Sequence, residues 1–145
     1  MTAMLPIIVS CVFTGLGLWH VRMAFSLSTA SPGETSAVPS VDGKPLFVPS
    51  TRATLAVAVV LTLFAALVLA TAGILTTGIP GPVLVWLSYS LAAVLLARAV
   101  GEFRYVGFFK RVRGSRFAKM DTLVYSPLCV LLALGVGAIA LTRGN

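Results

Sequence analysis

The chain has 145 residues, of which 58% are hydrophobic and 10% charged, with a mean hydropathy of +1.01. Soluble domains carry about 25% charged residues, and a water-soluble fold of this size leaves too much surface exposed to hide so much apolar matter. The composition excludes that class and points to an integral membrane protein. The net charge of +7 would suggest nucleic acid in a soluble protein. Here no recognition module accompanies it, so it reads as positive-inside charge and no nucleic-acid partner is expected. Cys11 and Cys129 are the two cysteines, His20 is the single histidine, and no CxxC occurs. Metal ligands of the usual kind and spacing are lacking, and no metal or cofactor is expected.

The first predicted span covers 4–27. Residues 5–19 carry no charge, and the helix must continue through His20 and Arg22 to reach the ~20 residues a bilayer requires. Trp19 suits the headgroup level, where Arg22 can snorkel. A cleaved leader is the rival reading, because Ser28-Thr29-Ala30 resembles a small-residue cleavage site. Against it, no Lys or Arg precedes the apolar run. Residues 28–51 are rich in Pro, Gly, Ser and Thr and read as a loop, with a turn signal at Asp42-Gly43. Leu46-Phe47-Val48 is its one apolar knot, and Ser50 or Thr51 is placed to cap the next helix.

The second span covers 52–77. Ala58, Thr62, Ala66 and Ala70 recur every four residues, a small-residue face that lets transmembrane backbones approach. A tight turn follows at Thr76–Pro82. The third span covers 82–100, with Trp86 and Tyr89 as interface anchors near its start and Ala93, Ala97 and Gly101 as a second small-residue stripe. The fourth covers 122–142. Asp121 is placed to cap it, Pro127 should bend it mildly, and Gly135 and Gly137 continue the small-residue pattern. The sum is one domain over 1–145, an all-α integral membrane protein of four transmembrane helices in a compact bundle.

The basic connection at 101–121 carries Arg104, Lys110, Arg111, Arg113, Arg116 and Lys119, whereas the turn between the second and third spans carries no Lys or Arg. Four spans put the first and third connections on one side. The charge bias places that side in the cytoplasm and both termini outside. Phe103, Tyr105, Phe108 and Phe109 interleave with the cations. The six cations therefore read as contacts to anionic lipid headgroups, each contributing ~1 kcal/mol.

The segment RAVGEFRYVGFFKRVRGSRFAKMDTLVYSPLC (98–129), with DGKPLFVP (42–49) and the pair Trp19-His20, resembles a family of short bacterial membrane proteins known as domain of unknown function 3995. The resemblance covers most of the chain. It implies a helical integral membrane protein and no activity, so it assigns no catalytic role to any residue.

His20, Arg98, Glu102, Asp121 and Tyr125 fall at similar depth near one end of their helices. They form a candidate polar cluster opening toward the cytoplasm, with Arg98 expected to pair with Glu102 or Asp121. The bland reading is an interfacial charge belt in which Arg98 and Glu102 pair at i,i+4. Two function classes follow. One is a non-catalytic bundle that binds or passes a lipid or hydrophobic small molecule, or packs against a partner or a second copy. The other is a membrane enzyme with His20 as acid/base, Glu102 or Asp121 as orienter and Arg98 for an anionic head group. No Asp or Glu lies mid-span, which disfavours proton-coupled export of the small multidrug type. Cys11 and Cys129 sit ~10 Å apart in depth, too far for a disulfide.

Overall fold

The computed structural model describes residues 4–26, 38–41, 44–47 and 49–144. Most of the first loop, including Ser28-Thr29-Ala30 and Asp42-Gly43, lies outside the described residues. Four helical segments are long and apolar enough to cross a membrane, and the protein is a multi-pass membrane protein. They are α1 (Met4–Ser26), α2 (Thr51–Thr71), α3 (Gly81–Val100) and a final run, Arg116–Gly144. That run consists of a short α4 (Arg116–Met120), a π-helical turn (Asp121–Tyr125) and α5 (Ser126–Gly144). Before α2, Ser40–Val41 and Lys44–Pro45 pair as a minimal antiparallel ladder.

Local chemistry sets the boundaries. The Ser50 hydroxyl accepts from the Ala53 N–H at 3.1 Å and caps α2. That helix stops at Thr71, six residues short of the expected end. Gly73 adopts φ +76°, and its N–H and that of Ile74 return to the Ala70 and Leu69 carbonyls at 3.0 and 2.9 Å. This is a Schellman stop, which glycine favours because it carries no Cβ. The fourth span begins six residues early. Ser115 is its cap, accepting from Ala118 N–H at 3.1 Å, so Asp121 lies inside the helical run and does not cap it. Pro127 does more than bend the chain. It has no N–H to offer the carbonyls one turn back. The helix widens instead, with Ser126 N–H donating five residues back to the Asp121 carbonyl. At 1.5 Å per residue the final run is about 43 Å long against a hydrocarbon core of about 30 Å, so its α4 end extends to headgroup level or beyond.

The helices alternate in direction. α1 lies along α2 and α3 along α5, and α2–α3 and α1–α5 contacts close the ring. A Cβ on Gly17 would meet the Ala58 carbonyl and the Thr62 hydroxyl, each at 3.3 Å. The small-residue face of α2 therefore serves close packing on α1, as expected. Ser10 adds a hydrogen bond to the Ala65 carbonyl at 3.3 Å. On the α1–α5 side a Cβ on Gly135 would come within 2.9 Å of a Val9 methyl, so either that side chain or the helix would have to shift. Phe13, Val68, Leu91, Leu132 and Val136 fill the centre, and Phe13 meets Phe64 edge-on at 5.8 Å. The stripe expected on α3 does not pack: Ala93 and Ala97 are exposed. Leu84, Ser88 and Leu91 take the inner face at helical spacing: Leu91 joins the packed core and Ser88 bonds the Thr71 hydroxyl at 2.8 Å, and packing and interhelical hydrogen bonds of this kind hold helices together in lipid. Cys11 and Cys129 are free thiols.

Candidate functional site

Two ends of the bundle can be distinguished. The turn end holds residues 72–80, and the basic end holds the connection that follows α3. At the basic end Asp121 is completely buried, and both of its oxygens are occupied. Oδ1 accepts from Arg98 Nη2 at 2.8 Å. Oδ2 accepts from the Gly107 backbone N–H at 2.7 Å and from Lys110 Nζ at 3.0 Å. Lys110 is itself 1% exposed, and its ammonium also donates to the Gly107 carbonyl at 3.0 Å and to the Thr122 hydroxyl at 2.6 Å. All three ammonium hydrogens thus have acceptors.

Backbone shape delivers these partners. Gly101 ends α3 at φ +83°, and Gly107 sits at φ +90°. A Cβ on Gly101 would fall on the Val106 carbonyl, and one on Gly107 on the Val100 carbonyl, so two backbones touch where side chains cannot fit. Phe103 also takes a left-handed φ of +64°. The Phe108 N–H then donates to the Ala99 carbonyl at 2.9 Å and the Val112 N–H to the Arg104 carbonyl at 3.0 Å. The connection is a folded cap whose centre is an ion cluster.

The residues anticipated as a polar cluster separate. Arg98 and Asp121 come together as expected. Glu102 is exposed and makes no ion pair among the described residues, since the Asp121 carboxylate is buried within reach of Arg98 and Glu102 faces solvent. His20 hydrogen-bonds through Nδ1 to the Leu16 carbonyl of its own helix at 2.8 Å. Tyr125 is half-buried with its ring 6.1 Å from that of Phe117. Among the six cations expected at headgroups, Arg104, Arg111, Arg113, Arg116 and Lys119 are exposed, whereas Lys110 turns inward. The reason is Gly107: the tight turn it permits brings Nζ back over the carbonyl three residues earlier and onto Asp121. Nothing in the run of cations distinguishes Lys110. The nearest signal is its place three residues after a helix-breaking glycine.

Chemically, the cluster is a fastener. It ties the end of α3, the connection and the start of the fourth span to one carboxylate, which is fully buried and holds three donors, two of them cationic. Two polar atoms beside it are buried with no hydrogen-bond partner among the described residues, Arg98 Nη1 and Ser126 Oγ. A helical serine commonly bonds the carbonyl four residues back, as Thr14, Thr62 and Ser90 do here. The π-turn shifts that register at Ser126.

No curated protein and no solved structure matches the chain. Residues 9–136 match the family described as "Protein of unknown function (DUF3995)". The match takes in the whole Asp121 cluster and part of every span, and the chain belongs to that family.

Proposed function

We propose that this is a non-catalytic multi-pass protein of a bacterial cytoplasmic membrane that binds anionic lipid on its basic face. The observation that carries this reading is the division of charge at the basic end. One lysine is spent internally on Asp121, while five cations stand exposed on the same rigid cap. Phe103, Phe108 and Phe109 are 57%, 38% and 62% exposed beside them, an arrangement suited to rings at the acyl boundary and cations among phosphates. Each cation near an anionic surface contributes about 1 kcal/mol. The burial of Asp121 between two cations and the separation of Glu102 from Arg98 favour this over an acid/base enzyme. The same charge bias supports an orientation with the connection in the cytoplasm and both termini outside.

The test is lipid retention. Purified protein in detergent micelles is mixed with equal phosphatidylglycerol and phosphatidylcholine, and bound lipids are counted by native mass spectrometry. The protein should retain phosphatidylglycerol preferentially. Replacing Arg104, Arg111, Arg113, Arg116 and Lys119 by Gln should sharply lower the number of phosphatidylglycerol molecules retained in excess of phosphatidylcholine. An unchanged preference in that variant would refute the reading. Orientation is tested separately in a background lacking Cys11 and Cys129. Gly78→Cys should react with an impermeant thiol reagent in intact cells and Gly114→Cys should not; the reverse pattern would overturn it.

A further inference from the structure

At the turn end, between the first turns of α3 and the last turn of α5, lies a cleft of about 410 Å³. Val85 and Leu141 form its apolar wall, Trp86 and Tyr89 an aromatic one, and Arg143 its charged rim. The two rings stand edge-to-face with centroids 6.2 Å apart. Gly81 and Gly144 line it too, and their missing side chains leave room: a Cβ on Gly81 would have nothing within 4 Å.

Arg143 is exposed and makes no hydrogen bond or ion pair among the described residues. Its guanidinium arches over Gly73, where an added Cβ would sit 3.3 Å from Nη1. The chain has four acids, Glu34, Asp42, Glu102 and Asp121. Glu34 and Asp42 fall in the connection between α1 and α2, and Glu102 and Asp121 at the basic end. Among the described residues, the turn end therefore holds no Asp or Glu side chain to answer this cation. The ordinary account of Arg143 is a helix-terminal cation favoured by the α5 dipole. That account leaves the adjoining space and its aromatic lining unexplained.

We infer that this cleft binds the anionic phosphate headgroup of a phospholipid in the leaflet at the turn end, opposite the leaflet reached by the basic connection. Volume, charge and lining agree. Small-ligand sites run from about 300 to 1,000 Å³, so the space takes a headgroup with its glycerol, and the acyl chains stay in the bilayer. Guanidinium groups suit phosphate by geometry as well as charge. Trp and Tyr provide surfaces that are apolar on one side and polar at the tip, the pairing found at headgroup depth. A free phosphate ion would have no use for the Val85–Leu141 wall, which is why the lipid is the occupant assigned.

Trp86 supplies the probe. In a Trp19→Phe background it is the sole tryptophan, and it lines the cleft. The full-length protein in detergent micelles is titrated with brominated-chain phosphatidylglycerol or phosphatidylcholine, and Trp86 quenching is followed. Phosphatidylglycerol should quench saturably, with half-saturation at a concentration about tenfold below that of phosphatidylcholine. Arg143→Gln should remove that difference, and Gly81→Leu, which fills the space, should remove saturation. The five-fold Gln variant of the basic connection should leave the titration unchanged, which separates this site from the one proposed above. Equal curves for the two lipids, or curves indifferent to both cleft variants, would overturn the inference. Displacement by inorganic phosphate at concentrations matching the lipid would also overturn it, by assigning the cleft to the free ion.

Discussion

The two ends of the α3 helix are joined to their neighbours in opposite ways. At the turn end, residues 72–80 link α2 to α3 with backbone turns and neutral hydroxyls, without an ion pair among the described residues: a Schellman stop at Gly73, a second left-handed glycine at Gly78, and a buried hydroxyl pair, Thr71 to Ser88 at 2.8 Å. At the basic end, residues 101–115 link α3 to α4 around a buried carboxylate with two cations. A short link satisfies its polar groups locally. A longer one carries more backbone donors and acceptors than one turn can pair, and it takes its shape from distant side chains. The basic end should therefore be vulnerable to single charges, and the turn end only to the loss of ordinary hydrogen bonds.

The largest break should come from Asp121→Ala. It strands Lys110, which has almost no exposure, and removes the partner of Arg98. Truncating one member of a buried pair costs about 3–5 kcal/mol. Unfolding in detergent micelles, followed by circular dichroism, should show that loss; a change below about 1 kcal/mol would mean that the carboxylate is not bearing the cap. The comparison is sharpened by two glycines with similar dihedrals. Gly78 (φ +72°) has open space around it, and Gly107 (φ +90°) meets the Val100 carbonyl. Gly78→Ala should cost about 1–2 kcal/mol, the left-handed penalty alone. Gly107→Ala adds a backbone collision and should cost clearly more by the same assay. Equal losses would show that the connection can move aside. At the turn end, Thr71→Val removes hydrogen bonds to Ser88 and to the Leu84 carbonyl and should cost about 1–2 kcal/mol. The smallest effect belongs to Ser126→Ala. Its hydroxyl is buried and has no partner among the described residues, so its removal should leave stability unchanged or raise it by up to about 1 kcal/mol; a clear loss would reveal a partner for that hydroxyl.

Much of the architecture was legible in the sequence. Four apolar runs of bilayer length, bounded by Gly, Pro and Ser, lead to four spans because in lipid every backbone group must be satisfied within its own helix. The pairing of Arg98 was half legible: depth placed Arg98, Glu102 and Asp121 at one level, and only folding chose between the carboxylates. Lys110 was not legible. Its inward turn depends on Gly101 and Gly107 meeting backbone to backbone, a contact between residues whose own neighbours say only that a helix is interrupted. The π-turn was hidden for a similar reason. Pro127 announces a missing donor, but whether the helix kinks or widens depends on what Asp121 is bound to. Likewise the α3 stripe of Ala93 and Ala97 has the spacing of a packing face, and only the competing Leu84–Leu91 face showed which side turns inward.

The central claim is that Asp121 and Lys110 act as one unit that shapes the basic cap. A double-mutant cycle on the full chain in micelles tests it most directly, with Lys110→Met, Asp121→Asn and the pair, each followed by equilibrium unfolding. Each single change leaves a buried polar group without its counterpart, whereas the double change removes both charges. The account predicts that the double variant is more stable than the sum of the single losses allows, by at least about 1–2 kcal/mol. Losses that add to within about 0.5 kcal/mol would contradict it, because residues in contact through a shared buried charge cannot behave as strangers.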